Sequence, residues 1–477
     1  MSQDEDEALQ PSGMDHDELN IWAKRAADWV RDYHAGLRAR PVRAQVAPGA
    51  VAARLPARAP EAPEPMEAIW ADFEALIPGA MTHWQHPRFF AYFPANAAPA
   101  SMLAEQLISG IGAQAMLWQT APAATELEEV TVGWLRAALG LPARFAGTIH
   151  DSATTATLSA VLTMRERALE WHGNAAGLSG APTLRLYAGD QAHSSIDKAA
   201  RIAGIGQRNL VRLATDAAGA FDPEALRARV AADRAAGHLP VGVVLVVGGT
   251  GTGAVDRVGA AIAVARDLGL PVHIDAAWAG SAMICPEFRH LWAGVEGAGS
   301  IVVNPHKWLG AQFDCAVQFL ADPAAQVATL GLRPDYLQTP GTEAATDFNE
   351  WTIPLGRRFR ALKLWFVLRA YGLEGLRARI RTHVAWAGEL AGEMARIPGI
   401  TIETGPVLSL FSFRLRDSDA ASEALLRRIN EDGRVYLTQT RHRGRVVIRV
   451  QVGQFDTTRD DVMSVAEIVR ALASEIE

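Results

Sequence analysis

Between about residue 147 and residue 320 the chain alternates short apolar runs with helix-like segments, and this rhythm restricts the fold more than any other feature. The runs fall at 147–150, 183–187, 210–213, 241–247, 271–275, 301–304 and 315–320. They are short, often rich in β-branched residues and mostly bounded by turn-forming residues, the pattern of buried strands. Helices are predicted between them, over about 155–171 and 223–236. The second has Asp222 at its cap and Pro223 at its first position, where a missing N–H costs nothing. Strands alternating with helices in this way build a mostly parallel sheet covered on both faces. Such sheets bind ligands at the carboxyl ends of their strands, so the residues just after each run deserve a close reading.

The flanks read differently. Asp15 or Asp17 can cap a helix reaching Leu37, with Leu19, Trp22, Ala26, Trp29, Tyr33 and Leu37 on one face. An Ala-, Pro- and Arg-rich linker over 39–65 follows, then a helix carrying Ile69, Trp70, Phe73 and Leu76. Two helices on an extended arm leave large aromatic faces to be covered, and a second subunit is expected to cover them. Helices are predicted over 98–110 and 125–139, the latter starting at Thr125, with an irregular lid-like loop over 321–352. Further helices are expected over 357–371 and 373–397. Strands at 407–415, 435–440 and 446–452 then alternate with helices at 418–431 and 457–475, a small α+β unit. The expected division is an arm over 1–90, a large α/β domain over 91–370 and a small domain over 371–477. A net charge of −7 argues against nucleic acid or an anionic membrane as partner. Two cysteines, an acidic start and no apolar run near the ~18 residues of a membrane span point to the cytoplasm. No metal site is expected.

Five constellations stand at strand exits. Asp151-Ser152-Ala153-Thr154-Thr155 opens a helix and offers free backbone N–H groups to a phosphate, or is an ordinary cap. Gly249, Gly251 and Ala254 fit the loose G-x-G-x-x-A pattern, but Asp256 is the better cap for the next helix, so a tight turn is the favoured reading. Asp275 ends a buried strand, where a carboxylate needs a positive partner such as a pyridinium nitrogen. His193 follows another strand. Lys307 follows Asn304-Pro305-His306, where lost hydration lowers an amine's pKa and allows it to form a Schiff base. Singly, each reads as a cap or surface residue. Together, a phosphate cradle, a ring-nitrogen carboxylate, a flat stacking residue and a reactive lysine describe a pyridoxal 5′-phosphate (PLP) site.

The motifs Asn304-Pro305-His306-Lys307-Trp308, HIDAAWAGSAMICPEFRH over 273–290, PLGRRFR over 354–360, FFAYFP over 89–94 and DQAHSS over 190–195 go further. From about residue 66 to 455 the chain resembles the aromatic L-amino-acid decarboxylase family, group II PLP-dependent decarboxylases of fold type I. The resemblance implies that Lys307 binds the cofactor, Asp275 pairs with its ring nitrogen, His193 stacks on one face and Ala277 supports the other. It implies that Ser152, Ala153, Thr154 and His306 hold the phosphate, with Thr250 and Asn304 beside the cofactor. Trp84, Tyr92, Phe93 and Pro94 would shape the substrate pocket. Gln114, Met116 and their neighbours up to Trp118 would meet the substrate from the partner of a homodimer. Tyr336, in the long loop, would return a proton to the substrate's Cα as the loop closes.

Departures from the family bear on the substrate. Gln114 and Met116 stand where relatives often carry larger apolar groups, and Ala95 is small. Gly356 occupies the position that in plant relatives separates indole from phenol acceptors, and a glycine leaves room for a bicyclic ring. The expected reaction is decarboxylation of L-tryptophan first, then of L-phenylalanine, L-tyrosine or L-DOPA, to the arylalkylamine. An aldehyde synthase of the same family and a decarboxylase of a non-aromatic acid are the alternatives.

Overall fold

A computed structural model describes residues 13–332, 334 and 345–476. Seven strands, β1 (Ala146–His150), β2 (Leu184–Gly189), β3 (Leu210–Leu213), β4 (Leu239–Val246), β5 (Val272–Asp275), β6 (Ser300–Val303) and β7 (Ala316–Leu320), form one sheet in the order β1-β7-β6-β5-β4-β2-β3. β2 through β6 pair in parallel, and β7 runs against both β6 and β1. Two antiparallel steps bring β1 back into the common direction. The carboxyl ends of β1, β2, β4, β5 and β6 therefore share one edge. Both faces are covered: Leu184, Leu186 and Ala188 pack with Val161 and Met164, while Tyr187 packs in the cluster of Leu226 and Val230. The architecture is the expected α/β one, with an N-terminal helical arm and a C-terminal antiparallel sheet.

That second sheet comprises β8 (Ile400–Val407), β9 (Leu410–Leu415), β10 (Thr438–His442) and β11 (Arg445–Gln451), in the order β10-β11-β9-β8. Its core joins Phe411 and Phe413 to Leu425, Ile429, Val462 and Val465 from two helices. β8 is absent from the sequence-based expectation because its Gly405-Pro406 pair reads as a turn. The loop expected from 321 begins instead as a helix, Pro323–Leu330, whose Asp322 accepts from the Ala325 N–H at 3.3 Å. Eight residues are too few for a helical period to show. Thr125 lies buried inside a helix that already starts at Pro122. The two helices expected around residue 372 begin at Ala361, and Gly372 separates them with φ 61°. No helix among the described residues is long and apolar enough to cross a membrane.

The arm helices, His16–Gly36 (capped by Asp15) and Met66–Leu76, turn their aromatic faces partly on each other. Trp22 meets Trp70 at 5.5 Å and Trp29 meets Phe73 at 5.0 Å, with Arg25 5.0 Å from both tryptophans. Asp461 clasps the arm to the C-terminal unit, accepting from Arg38 at 2.8 Å and Arg88 at 2.9 Å. Burial alone would raise this carboxyl, but the two arginines and Thr458 hold it down at about 2.

Five buried histidines are kept neutral. Burial lowers His86 and His273 to about 4 and His150, His306 and His383 to about 3. Three of them also accept at Nδ1 from an N–H that a protonated ring could not receive: Arg88 to His86, Cys315 to His306 and Trp308 to His383. A histidine whose folded pKa is depressed contributes stability above its unfolded value, near 6.5, and that stability is lost as pH falls toward the folded value. Unfolding at about pH 5 should therefore take up close to one proton at each of these five sites. The urea midpoint should drop steadily from about pH 6.5 to pH 4.5, and a midpoint flat over that range would contradict neutral burial.

Candidate active site

Four strand exits and one helix start enclose a cavity of about 130 Å³. Ser152, Ala153 and Thr154 reach it from the turn after β1, His193 from after β2, Gly248 and Thr250 from after β4, Asp275 and Ala277 from β5, and Asn304, His306 and Lys307 from after β6. Register brings the middle of this set together, since Val246 pairs with Asp275 and Asp275 with Val302. Every cofactor-contact residue expected from the sequence lines this one cavity.

Each side chain is aimed by its own turn. Ser152 Oγ accepts from the Thr155 N–H at 3.2 Å and so caps helix Ala153–Ala168, whose first amides face the cavity end. His193 Nδ1 accepts from the Ser195 N–H at 3.1 Å, capping helix Ser194–Ile202, which leaves the ring proton of the neutral form on Nε2. Burial lowers the pKa of His193. Asp275 Oδ1 accepts from the Ala277 N–H at 3.1 Å. Lys307 keeps part of its surface open to the cavity while the surrounding protein strips its hydration. Burial lowers its pKa against the opposing pull of Asp275, and Arg449 lowers it further. The Gly-rich segment closes on itself, Gly248 and Gly249 both donating to Ala254 O at 2.9 and 2.8 Å. It is the tight turn, with the next helix delayed to Val258. Asp256, expected to cap that helix, instead turns into the sheet and accepts from Val246 N–H at 2.8 Å; burial raises it to about 7.

Asn96 and Arg449 carry no sequence signal. Asn96, fully buried, donates through Nδ2 to Lys307 O and Gly453 O, both at 2.7 Å. Its Oδ1 accepts from Phe455 N–H at 2.9 Å, and its own N–H donates to His306 O at 2.9 Å. Arg449, 4% exposed, donates to Gly251 O at 2.9 Å and Thr438 Oγ1 at 3.0 Å and meets no carboxylate among the described residues. Trp278 lines the cavity and stacks on Phe93 at 5.2 Å, and Phe93 in turn meets Trp308 at 5.5 Å. Phe313 lines it from the far side, 4.9 Å from the His306 ring.

The substrate-side candidates are placed apart from this cavity. Trp84 and Tyr92 are exposed and stacked at 5.7 Å, whereas Phe93 and Pro94 are buried. Gln114 Oε1 accepts from Arg357 N–H at 2.6 Å and Met116 O from Asn349 N–H at 3.0 Å. A Cβ at Gly356 would stand 3.1 Å from Gln114 Nε2, so these two positions share one space. Tyr336 lies outside the described residues, as does the part of the expected lid around it.

A half-buried lysine sharing a cavity with a carboxylate at the carboxyl edge of a parallel sheet, beside a helix N-terminus, fits an enzyme built around an aldehyde cofactor with a phosphate. Residues 48–416 match the pyridoxal-dependent decarboxylase conserved domain. Aromatic-L-amino-acid decarboxylase of Sus scrofa is 38% identical over 95% of this chain and 96% of that protein, and phenylacetaldehyde synthase of Arabidopsis thaliana 36% over 97% of each. The crystal structure of Oryza sativa TDC with PLP and tryptamine superposes with a TM-score of 0.94, at 33% identity over 98% of this chain and 99% of that one. The chain belongs to the pyridoxal-dependent decarboxylase family, and its cofactor is pyridoxal 5′-phosphate. The residues present fit that group. Among the described residues Asn304 Oδ1 is buried in the cavity wall without a partner, His306 has Nδ1 occupied and Nε2 left to donate, and Asp275 supplies the one carboxylate of the lining.

Asn96→Leu should leave Lys307 O, Gly453 O and Phe455 N–H unsatisfied, each costing about 1–3 kcal/mol. The expected outcome is a lower urea midpoint together with weaker cofactor retention on dialysis. Loss of stability with unchanged retention would show that Asn96 does not position Lys307.

Proposed function

We propose that the protein removes the α-carboxylate of an aromatic L-amino acid as CO₂ and releases the arylalkylamine. L-tryptophan is the preferred substrate and L-phenylalanine, L-tyrosine and L-DOPA are secondary ones. The observation that carries this reading is Lys307, its pKa lowered by burial, in a cavity that also holds Asp275, His193 and the Ser152 helix start. PLP, when bound, supplies a sink for the electron pair freed as the Cα–carboxylate bond breaks.

The chain's own residues do the rest. Lys307 presents a nucleophilic amine whose pKa is lowered by burial. Asp275 is placed to keep a proton on the ring nitrogen through its negative charge. His193, with Nδ1 committed to its helix cap, offers a flat face and an Nε2–H donor of fixed tautomer. Ser152, Ala153, Thr154 and His306 hold the phosphate with neutral donors, and Thr250, Ala277 and Asn304 complete the cofactor's walls. Tyr336 hands a proton to Cα once CO₂ has left. Trp84, Tyr92, Phe93 and Pro94 bound the substrate's ring on one side, with Gln114, Met116 and Gly356 of a second copy on the other. A homodimer is supported by apolar side chains left in water. Leu103, Leu107 and Ile111 recur every four residues on helix Pro99–Ile111, with Val130 and Trp134 on helix Pro122–Leu139. The break at Gly372 and the separate C-terminal core support a boundary near residue 370.

The test is a product screen of the holoenzyme with L-Trp, L-Phe, L-Tyr, L-DOPA and L-Glu, read by mass spectrometry. Tryptamine is expected as the leading product. Aldehyde, ammonia and hydrogen peroxide released in step with CO₂ would establish the synthase reading that the Arabidopsis relative represents, and turnover of L-Glu alone would end the aromatic one. Lys307→Ala should lose the visible absorption of bound cofactor. Tyr336→Phe should divert product from amine toward aldehyde, and an unchanged amine yield would remove the proton-donor role.

A further inference from the structure

The sheet has a second edge, and it also carries a cavity. A groove of about 660 Å³ crosses the amino-terminal ends of β4, β5 and β6 and the end of β7, opposite the edge that holds Lys307. Four arginines line it. Arg144 lies just before β1, Arg167 in the last turn of helix Ala153–Ala168, and Arg234 and Arg266 in the last turns of helices Pro223–Ala235 and Val258–Asp267. The first of these helices covers one face of the sheet, and the other two belong to the core on the opposite face. The guanidinium groups thus come from both rims. The floor between them is aliphatic, with Met164 and Leu239 among its residues.

The charge is one-sided. Asp322 is the single carboxylate in the lining, and it already pairs with Arg167 at 3.3 Å. Among the described residues Arg144, Arg234 and Arg266 form no ion pair. Arg144 lies over the Phe145 ring and Arg234 donates to Leu268 O at 2.7 Å. An arginine in a helix's last turn is favourable by about 0.3–1 kcal/mol, which accounts for three of the four taken singly. It does not account for Arg144, which is on a loop, or for the convergence of all four on one groove in a chain of net charge −7. Guanidinium forks match phosphate and carboxylate oxygens. The volume lies within the ~300–1,000 Å³ of metabolite sites. We infer that this groove binds a small organic polyanion, one bearing at least two phosphate or carboxylate groups on a body that rests on the aliphatic floor.

Pyrophosphate and citrate are the probes, titrated into the holoenzyme by calorimetry, with acetate at matched ionic strength as the reference. Both probes, or one of them, should bind saturably where acetate does not, and the tighter one distinguishes a phosphate from a carboxylate ligand. Arg144→Ala/Arg266→Ala, which changes two exposed side chains, should weaken binding by about tenfold or more, since each charge-assisted hydrogen bond contributes ~1.5–3 kcal/mol. Its visible cofactor absorption should stay intact, because the site lies at the opposite edge. Heats that acetate reproduces would overturn the site. So would an isotherm unchanged in the double variant, including one that melts lower in plain buffer, since the arginines would then serve the helix ends alone.

Discussion

One buried carboxamide holds the turn that carries Lys307 in place. Asn96 has no exposed surface, and its hydrogen bonds join the loop at 94–98, the His306–Lys307 backbone and the Gly453–Phe455 segment. A lysine side chain is long and flexible. It becomes a dependable reactive group only if its backbone is fixed and its surroundings exclude other positions. β6 brings Lys307 to the correct edge, Asn96 fixes the turn from one side, and the Trp278–Phe93–Trp308 stack supports it from below. The lowered lysine pKa is a result of that packing, because burial is its largest cause.

The two site imidazoles solve a shared problem in the same way. His193 and His306 stand at different strand exits, yet each spends Nδ1 as an acceptor for a backbone N–H, from Ser195 and from Cys315. Each is thereby neutral and of one tautomer before any ligand arrives. His306 thus lines the cavity with Nε2 left as a neutral donor. A neutral His193 ring adds no positive charge beside Lys307 and Asp275.

How much was legible in the sequence follows from how local each signal is. β4 is a nearly continuous apolar run and β5 a short one broken by His273, so their ends, and with them Asp275, could be located, and the Asn-Pro pair marked the exit before Lys307. Asn96 gave no sign because its partners lie 211 and 357 residues away and it sits among alanines and prolines. Arg449 reads as an outward residue of an alternating strand, and only the folded contact with the Gly251 loop shows it buried. Asp256 stood at a plausible cap position, but the Val246 N–H competed for its carboxylate and won. The Trp84 and Tyr92 wall was legible as an aromatic patch, although Phe93 in the same run went to the core.

The reach of Asn96 also bears on the order in which the protein matures. Gly453 and Phe455 are synthesised long after Lys307, and their backbone C=O and N–H bond the Asn96 carboxamide that fastens the turn carrying Lys307. A nascent chain can form β1 through β7 well before those residues emerge, but Asn96, which bonds the His306 and Lys307 carbonyls, then lacks its contacts with Gly453 and Phe455. Closing a contact across 357 residues is among the costliest steps in loop entropy, and contacts of that span form late. The geometry around Lys307 is thus completed only when the C-terminal unit closes on Asn96.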